Sequence, residues 1–105
     1  MGLAEFVTVG KADEVDDGEA KAFDVNGREI AVARVDGKLF AFSDICTHRA
    51  CNLAMGGEID GTTIQCECHG SIFEMTDGSV VQGPATEPID TFAVNDEDGD
   101  LRIEV

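Results

Sequence analysis

The chain has 105 residues, with 7 Lys and Arg against 22 Asp and Glu, and a formal net charge of −15. That length makes one domain, residues 1–105. So acidic a surface excludes nucleic acid and anionic membranes as partners and favours a protein with a basic docking patch. No stretch of about 20 apolar residues is present. The N-terminal Met1-Gly2-Leu3-Ala4-Glu5-Phe6 lacks the basic region and apolar core of an export signal. It also lacks the Ser or Thr that a myristoylation signal needs, so a cytoplasmic protein is expected.

Taken in order, the elements read as β throughout. Phe6–Val9 opens as a short strand. The acidic, Gly-containing stretch Glu14–Glu19 reads as a loop. Ala20–Val25, Arg28–Val35 and Lys38–Ser43 read as strands separated by Asn26-Gly27 and Asp36-Gly37, both hairpin turn signals. Ile30, Val32, Phe40 and Phe42 alternate with smaller residues, the pattern of half-buried strands. Gly56-Gly57 marks a turn. Thr62–Cys66 and Ser71–Glu74 are short strands. Thr91–Asn95 and Leu101–Val105 close the chain as a hairpin across the acidic run Asp96–Asp100. No repeat, linker or long helix is visible.

The chemistry-bearing residues fall between these strands. Cys46-Thr47-His48 is followed, after seventeen intervening residues, by Cys66-Glu67-Cys68-His69. The chain's only two histidines both lie in these segments. A chelating pair one to three residues apart sits on one tight loop, and two such loops can clamp an inorganic unit between them. Two Cys and two His can bind one zinc tetrahedrally. They can equally bind a [2Fe–2S] cluster in which His₂ replaces Cys₂ on one iron. The spacing alone leaves both open.

The flanking residues favour the second. Cys46-Thr47-His48-Arg49-Ala50-Cys51 and Cys66-Glu67-Cys68-His69-Gly70-Ser71-Ile72-Phe73, with Gly83-Pro84-Ala85 downstream, closely resemble the Rieske iron–sulfur family. The order of strands and the length are similar to its small soluble ferredoxins, so the resemblance covers nearly the whole chain. It implies an all-β fold: an antiparallel β-sandwich base with a small rubredoxin-like cluster-binding subdomain at roughly 45–84. It implies one Rieske [2Fe–2S] cluster, with Cys46 and Cys66 on one iron and His48 and His69 on the other. Pro84 belongs to a loop over the cluster, and Gly70 to a tight turn with positive φ. Leu53 and Met55 are expected to shield the cluster or fill the core, and Arg49 to lie at its edge.

With neutral imidazoles, the oxidised cluster and its two thiolates sum to zero charge, so an added electron costs less than in an all-cysteine site. Rieske potentials accordingly lie at about −150 to +300 mV, against about −400 mV for plant-type ferredoxins. By resemblance to the ferredoxin components, the chain is expected to carry single electrons from a flavin-containing reductase to a terminal, ring-hydroxylating oxygenase. It would dock through its acidic surface and the exposed His48 and His69 edge, and it has no catalytic constellation of its own.

Cys51 and Cys68 stand where the high-potential, quinol-oxidising members of the family carry a disulfide, so the resemblance implies that bond here. In those members a Ser donates to a bridging sulfide and a Tyr two residues later donates to a ligand sulfur. Here Ser71 is present, whereas Phe73 has no hydroxyl, which predicts an intermediate potential. Two alternatives remain open: the Rieske-like small subunit of an assimilatory nitrite reductase, and a quinol-oxidising-type domain.

Overall fold

A computed structural model of the chain describes residues 5–46, 51–68 and 70–104. Among them eleven strands form three antiparallel sheets, and the one helical piece is a 3-10 turn at Ala12–Glu14. The all-β expectation holds.

The first sheet has three strands: β1 (Phe6–Lys11), β10 (Val94–Glu97) and β11 (Asp100–Glu104), in the order β1-β11-β10. It pairs the two ends of the chain, Phe6 lying opposite Glu104. The second sheet has the order β2-β3-β4-β9, with β2 at Ala20–Val25, β3 at Arg28–Val35, β4 at Lys38–Ser43 and β9 at Thr91–Phe92. The third is a meander of β5 (Glu58–Asp60), β6 (Thr63–Gln65), β7 (Ile72–Glu74) and β8 (Val80–Gln82).

The hairpin turns follow from their dipeptides. Asn26 and Gly27 have φ of 53° and 85°, and Asp36 and Gly37 have 52° and 80°. Positive φ at both central residues is the tight turn whose twist matches the flanking strands. The acidic run near the C-terminus narrows to the same device. Asp98 and Gly99 have φ of 53° and 88°, and the strands reach Glu97 on one side and Asp100 on the other. The expected strand Thr91–Asn95 is divided: Thr91 and Phe92 pair with β4, while β10 crosses to the first sheet.

The second sheet is the middle layer, and this alters the half-buried reading of β3. Ile30, Ala31, Val32 and Ala33 are all fully buried. Ile30 and Val32, with Val25 and Ala41, pack against Leu101 and Ile103 of the first sheet. Ala31 and Ala33 face the other way, opposite Phe42 and Phe40 across β4. There they join Phe42, Leu53, Ile64, Phe73 and Met75 in a second core with Cys46 and Cys66. The alternation is therefore one of size: small residues on one face of β3 make room for two phenylalanines. The sandwich base thus rests on one core, and the two cysteines of the motif sit in the other. The third sheet lies within the stretch 45–84.

Candidate metal centre

Two short loops and a third segment converge on the second core. The first loop leaves β4 through Ser43-Asp44-Ile45. The Asp44 side chain is fully buried, and its carboxylate accepts from the Ala54 amide at 2.7 Å and from Asn52 Nδ2 at 2.7 Å. Its backbone carbonyl accepts from Leu53 N at 2.7 Å, and its amide donates to the Glu29 carbonyl at 3.0 Å. Ile45 and Asn52 form an isolated antiparallel bridge, and Cys46 N donates to the Cys51 carbonyl at 2.9 Å. Asp44 thus closes the loop from inside. A buried carboxylate is tolerated only with such full pairing. Sequence reasoning passed over this residue. The available signal was a lone acid interrupting the apolar run that leads to Cys46.

The second loop joins β6 to β7. Cys66 N donates to the Ser71 carbonyl at 2.7 Å, and Gly70 N donates to the Cys66 carbonyl at 3.0 Å. Gly70 has φ of 81°, the left-handed conformation expected of it. Its carbonyl accepts from two side-chain amides, Gln65 Nε2 at 3.2 Å and Gln82 Nε2 at 3.3 Å. These glutamines also went unremarked, because a Gln on a short strand carries no pattern of its own. The third segment follows β8 through a cis Gly83–Pro84 bond, with Pro84 exposed. Ala85 N then donates to Ser71 Oγ at 3.0 Å, tying this segment to the second loop. Ser71 is fully buried, and with its oxygen accepting, its proton is left to give.

Of the expected ligands, Cys46 and Cys66 are buried, 3% and 2% exposed, in one core, and neither is in a disulfide. His48 and His69 lie outside the described residues, as does Arg49. The expected Cys51–Cys68 bond is present, with Cα atoms 6.6 Å apart, and staples the two loops together. The sulfurs of Cys51, Cys66 and Cys68 all lie within 4.8 Å of one another. Phe73 is fully buried in the same core as the two thiols. Leu53 also lies in that core, but Met55 is 74% exposed and fills nothing.

Residues 5–93 match a family model described as the Rieske [2Fe-2S] domain. The chain is 32% identical to the biphenyl dioxygenase ferredoxin subunit of Pseudomonas sp. (strain KKS102), over 94% of this chain and 91% of that protein. It is 37% identical to the cytochrome b6-f complex iron-sulfur subunit of Chlorobaculum thiosulfatiphilum, over 82% of this chain but 46% of that protein. A solved complex of reduced oxygenase and oxidised ferredoxin in carbazole 1,9a-dioxygenase contains a similar chain. It superposes with a TM-score of 0.86 at 29% identity, covering 94% of this chain and 92% of that one.

Proposed function

The chain belongs to the Rieske [2Fe–2S] family, and from that premise we propose that it is a one-electron carrier between a flavin-containing reductase and a terminal, ring-hydroxylating oxygenase. The donor set fits the family's cluster. Two buried thiols share one core, while the two cysteines beside them are tied up in a disulfide and withdrawn from ligation. Soft thiolates suit iron–sulfur chemistry. In this reading Cys46 and Cys66 hold one iron through sulfur, and His48 and His69 the other through nitrogen. The cluster-binding subdomain is residues 45–84.

When bound, the cluster takes up and releases one electron at a potential above that of all-cysteine sites. The chain's own residues do the rest. Asp44 and the Gly70 carbonyl fix the two loops, the disulfide holds them in register, and the apolar core of Phe42, Leu53, Ile64 and Phe73 keeps water from the thiolates. With its oxygen accepting from Ala85 N, the Ser71 hydroxyl would have its proton to donate to a sulfur of the cluster. The net charge of −15 supports docking to a basic surface, and in this reading electrons would enter and leave through His48 and His69. On the likeness to a dioxygenase ferredoxin subunit the carrier is placed in the cytoplasm.

The observation that carries the reading is whole-length likeness to a dioxygenase ferredoxin subunit. The test is electron delivery. Stopped-flow mixing of the reduced protein with an oxidised ring-hydroxylating oxygenase should give rapid, salt-sensitive reoxidation. Failure to reduce any oxygenase of that class would overturn the reading.

The Cys51–Cys68 bond and the likeness to a cytochrome b6-f subunit favour one second reading, a quinol-oxidising-type domain. Among the described residues no helix is long and apolar enough to cross a membrane. Redox titration tests the second reading: a potential well above zero fits the quinol type, and a lower one, short of that range as the missing Phe73 hydroxyl predicts, fits the ferredoxin.

A further inference from the structure

Three sulfurs within 4.8 Å of one another are more than a staple beside a ligand. Two of them form the Cys51–Cys68 bond, and the third belongs to Cys66, a thiol in no disulfide. Thiol–disulfide exchange needs this juxtaposition: a thiolate beside a disulfide, and a leaving sulfur that water can receive. We propose that loss of the cluster releases Cys66 to attack the neighbouring disulfide at Cys51 and expel Cys68. The chain then isomerises to a Cys51–Cys66 form that shuts out the cluster until it is reduced. The inference rests on the reading of Cys66 as a cluster ligand.

The step balances without an outside oxidant. A Cys66–Cys51 sulfur–sulfur bond forms, and the Cys51–Cys68 bond breaks with its electron pair on Cys68. The proton given up by Cys66 to water is restored to Cys68 by water. One disulfide and one thiol stand on each side.

Burial sets the direction. Cys66 is 2% exposed, so a dissolved thiol reaches it less readily than its neighbour does. Cys68 is exposed and Cys51 half-buried, so hydration favours Cys68 as the leaving group. The alternative attack, on Cys68, would close a ring over the single residue Glu67. The Cys51–Cys66 bond instead keeps the two loops joined, closing fifteen residues of chain where the present bond closes seventeen. Loop-closure entropy changes little over that difference. The exchange thus costs the fold no cross-link, while it removes a thiolate that the cluster needs. Loss of the cluster becomes self-locking.

The sequence allows a direct readout. Trypsin and a glutamate-specific protease together place each cysteine in its own peptide: Cys46 in 39–49, Cys51 in 50–58, Cys66 in 59–67 and Cys68 in 68–74. Full-length protein is divided in two. One half stays loaded and the other is stripped of iron by a chelator under argon. Both are then trapped with N-ethylmaleimide and mapped by mass spectrometry. The loaded half should show 50–58 linked to 68–74. The stripped half should show 50–58 linked to 59–67, with maleimide on Cys68, and should take up iron and sulfide only after a phosphine reductant is added.

A stripped half that keeps the original linkage would overturn the proposal. So would bonds that draw in Cys46 as often as Cys66, the mark of unfolding and random scrambling. Cys66→Ser lacks a ligand thiolate and is mapped as purified, without a cluster: its original linkage should persist, and maleimide on Cys68 in that variant would show that Cys66 is not the attacking group. The cluster reading fails separately: a starting protein with no iron, no sulfide and no [2Fe–2S] signal in its reduced-state EPR spectrum defeats that reading, whatever the peptide map shows.

Discussion

Ser71→Ala separates the job that the structure shows for one hydroxyl from a second that the proposed function gives it. The first is structural. Ser71 Oγ accepts from the Ala85 amide at 3.0 Å, and both residues are buried, 0% and 3% exposed. Removing the acceptor leaves a buried N–H unsatisfied, at a cost of about 1–3 kcal/mol. For a chain of this size that lowers Tm by roughly 4–8 °C per kcal/mol. The second job is electronic. In the proposed reading the hydroxyl proton would donate to a sulfur of the cluster, and a hydrogen bond to an acceptor that gains charge strengthens on reduction. A differential of about 1 kcal/mol corresponds to roughly 40 mV for one electron, so the potential should fall by about that much. The assays are thermal unfolding followed by circular dichroism and an EPR-monitored redox titration of loaded protein. A variant that melts lower but titrates at the parent potential would refute the electronic job and leave Ser71 as a tie for the Pro84 segment.

Three further outcomes are expected. Phe73→Tyr should raise the potential by roughly 40 mV if its hydroxyl takes up a bond to a ligand sulfur, again read by titration; an unchanged potential assigns Phe73 to packing alone. Cys51→Ser with Cys68→Ser should lose about 3 kcal/mol, the value of a loop of this length, measured as a denaturant midpoint, and should bleach faster under mild chelation. The Glu74 carboxyl is held below its ordinary 4.5, first by a hydrogen bond from Thr62 and then by Thr76. A depressed folded-state value stabilises above the unfolded value and is lost as pH falls through the folded one, so Tm should drop with acidification below about 4.5. Glu74→Gln should flatten that limb of the curve, and an identical pH profile in the variant would remove Glu74 from it.

The parts of the fold legible in the sequence were those with a local cause. Asn26-Gly27 and Asp36-Gly37 each need positive φ twice, and few other dipeptides supply it, so β2, β3 and β4 were bounded correctly. Gly70 was legible for the same reason. β5 and β8 were not anticipated. Glu58-Ile59-Asp60 offers one apolar residue between two acids, and Val80-Val81-Gln82 is too short to show a period. Their pairing with β6 and β7 decides them, and that is a tertiary fact. The double burial of β3 was hidden likewise, because Ala31 and Ala33 look like the weak face of an alternating strand until Phe40 and Phe42 are placed opposite them. At the site, the cysteines announced themselves. Asp44, Gln65 and Gln82 did not, because each acts through a backbone group that no pattern of residue types encodes.

Those three silent residues bear on what the disulfide is for. Each loop has its own support: the first closes on the Asp44 carboxylate, the second on a Gly70 carbonyl that receives amides from Gln65 and from Gln82 of β8. Neither support crosses between the loops. Among the described residues the covalent bridge between them is Cys51–Cys68, with Ser71 tying the second loop only to the Pro84 segment. Removing the disulfide therefore leaves each loop shaped and takes away the covalent tie between them, so that packing in the shared core alone holds Cys46 and Cys66 together. The cost falls on the distance between Cys46 and Cys66 and less on the conformation of either loop. A bridge that sets this distance is also one that Cys66 can redirect, since replacing Cys68 by Cys66 as the partner of Cys51 preserves the link between loops while consuming a thiol. The geometry that makes the centre rigid when loaded is thus the same geometry that lets it close when empty.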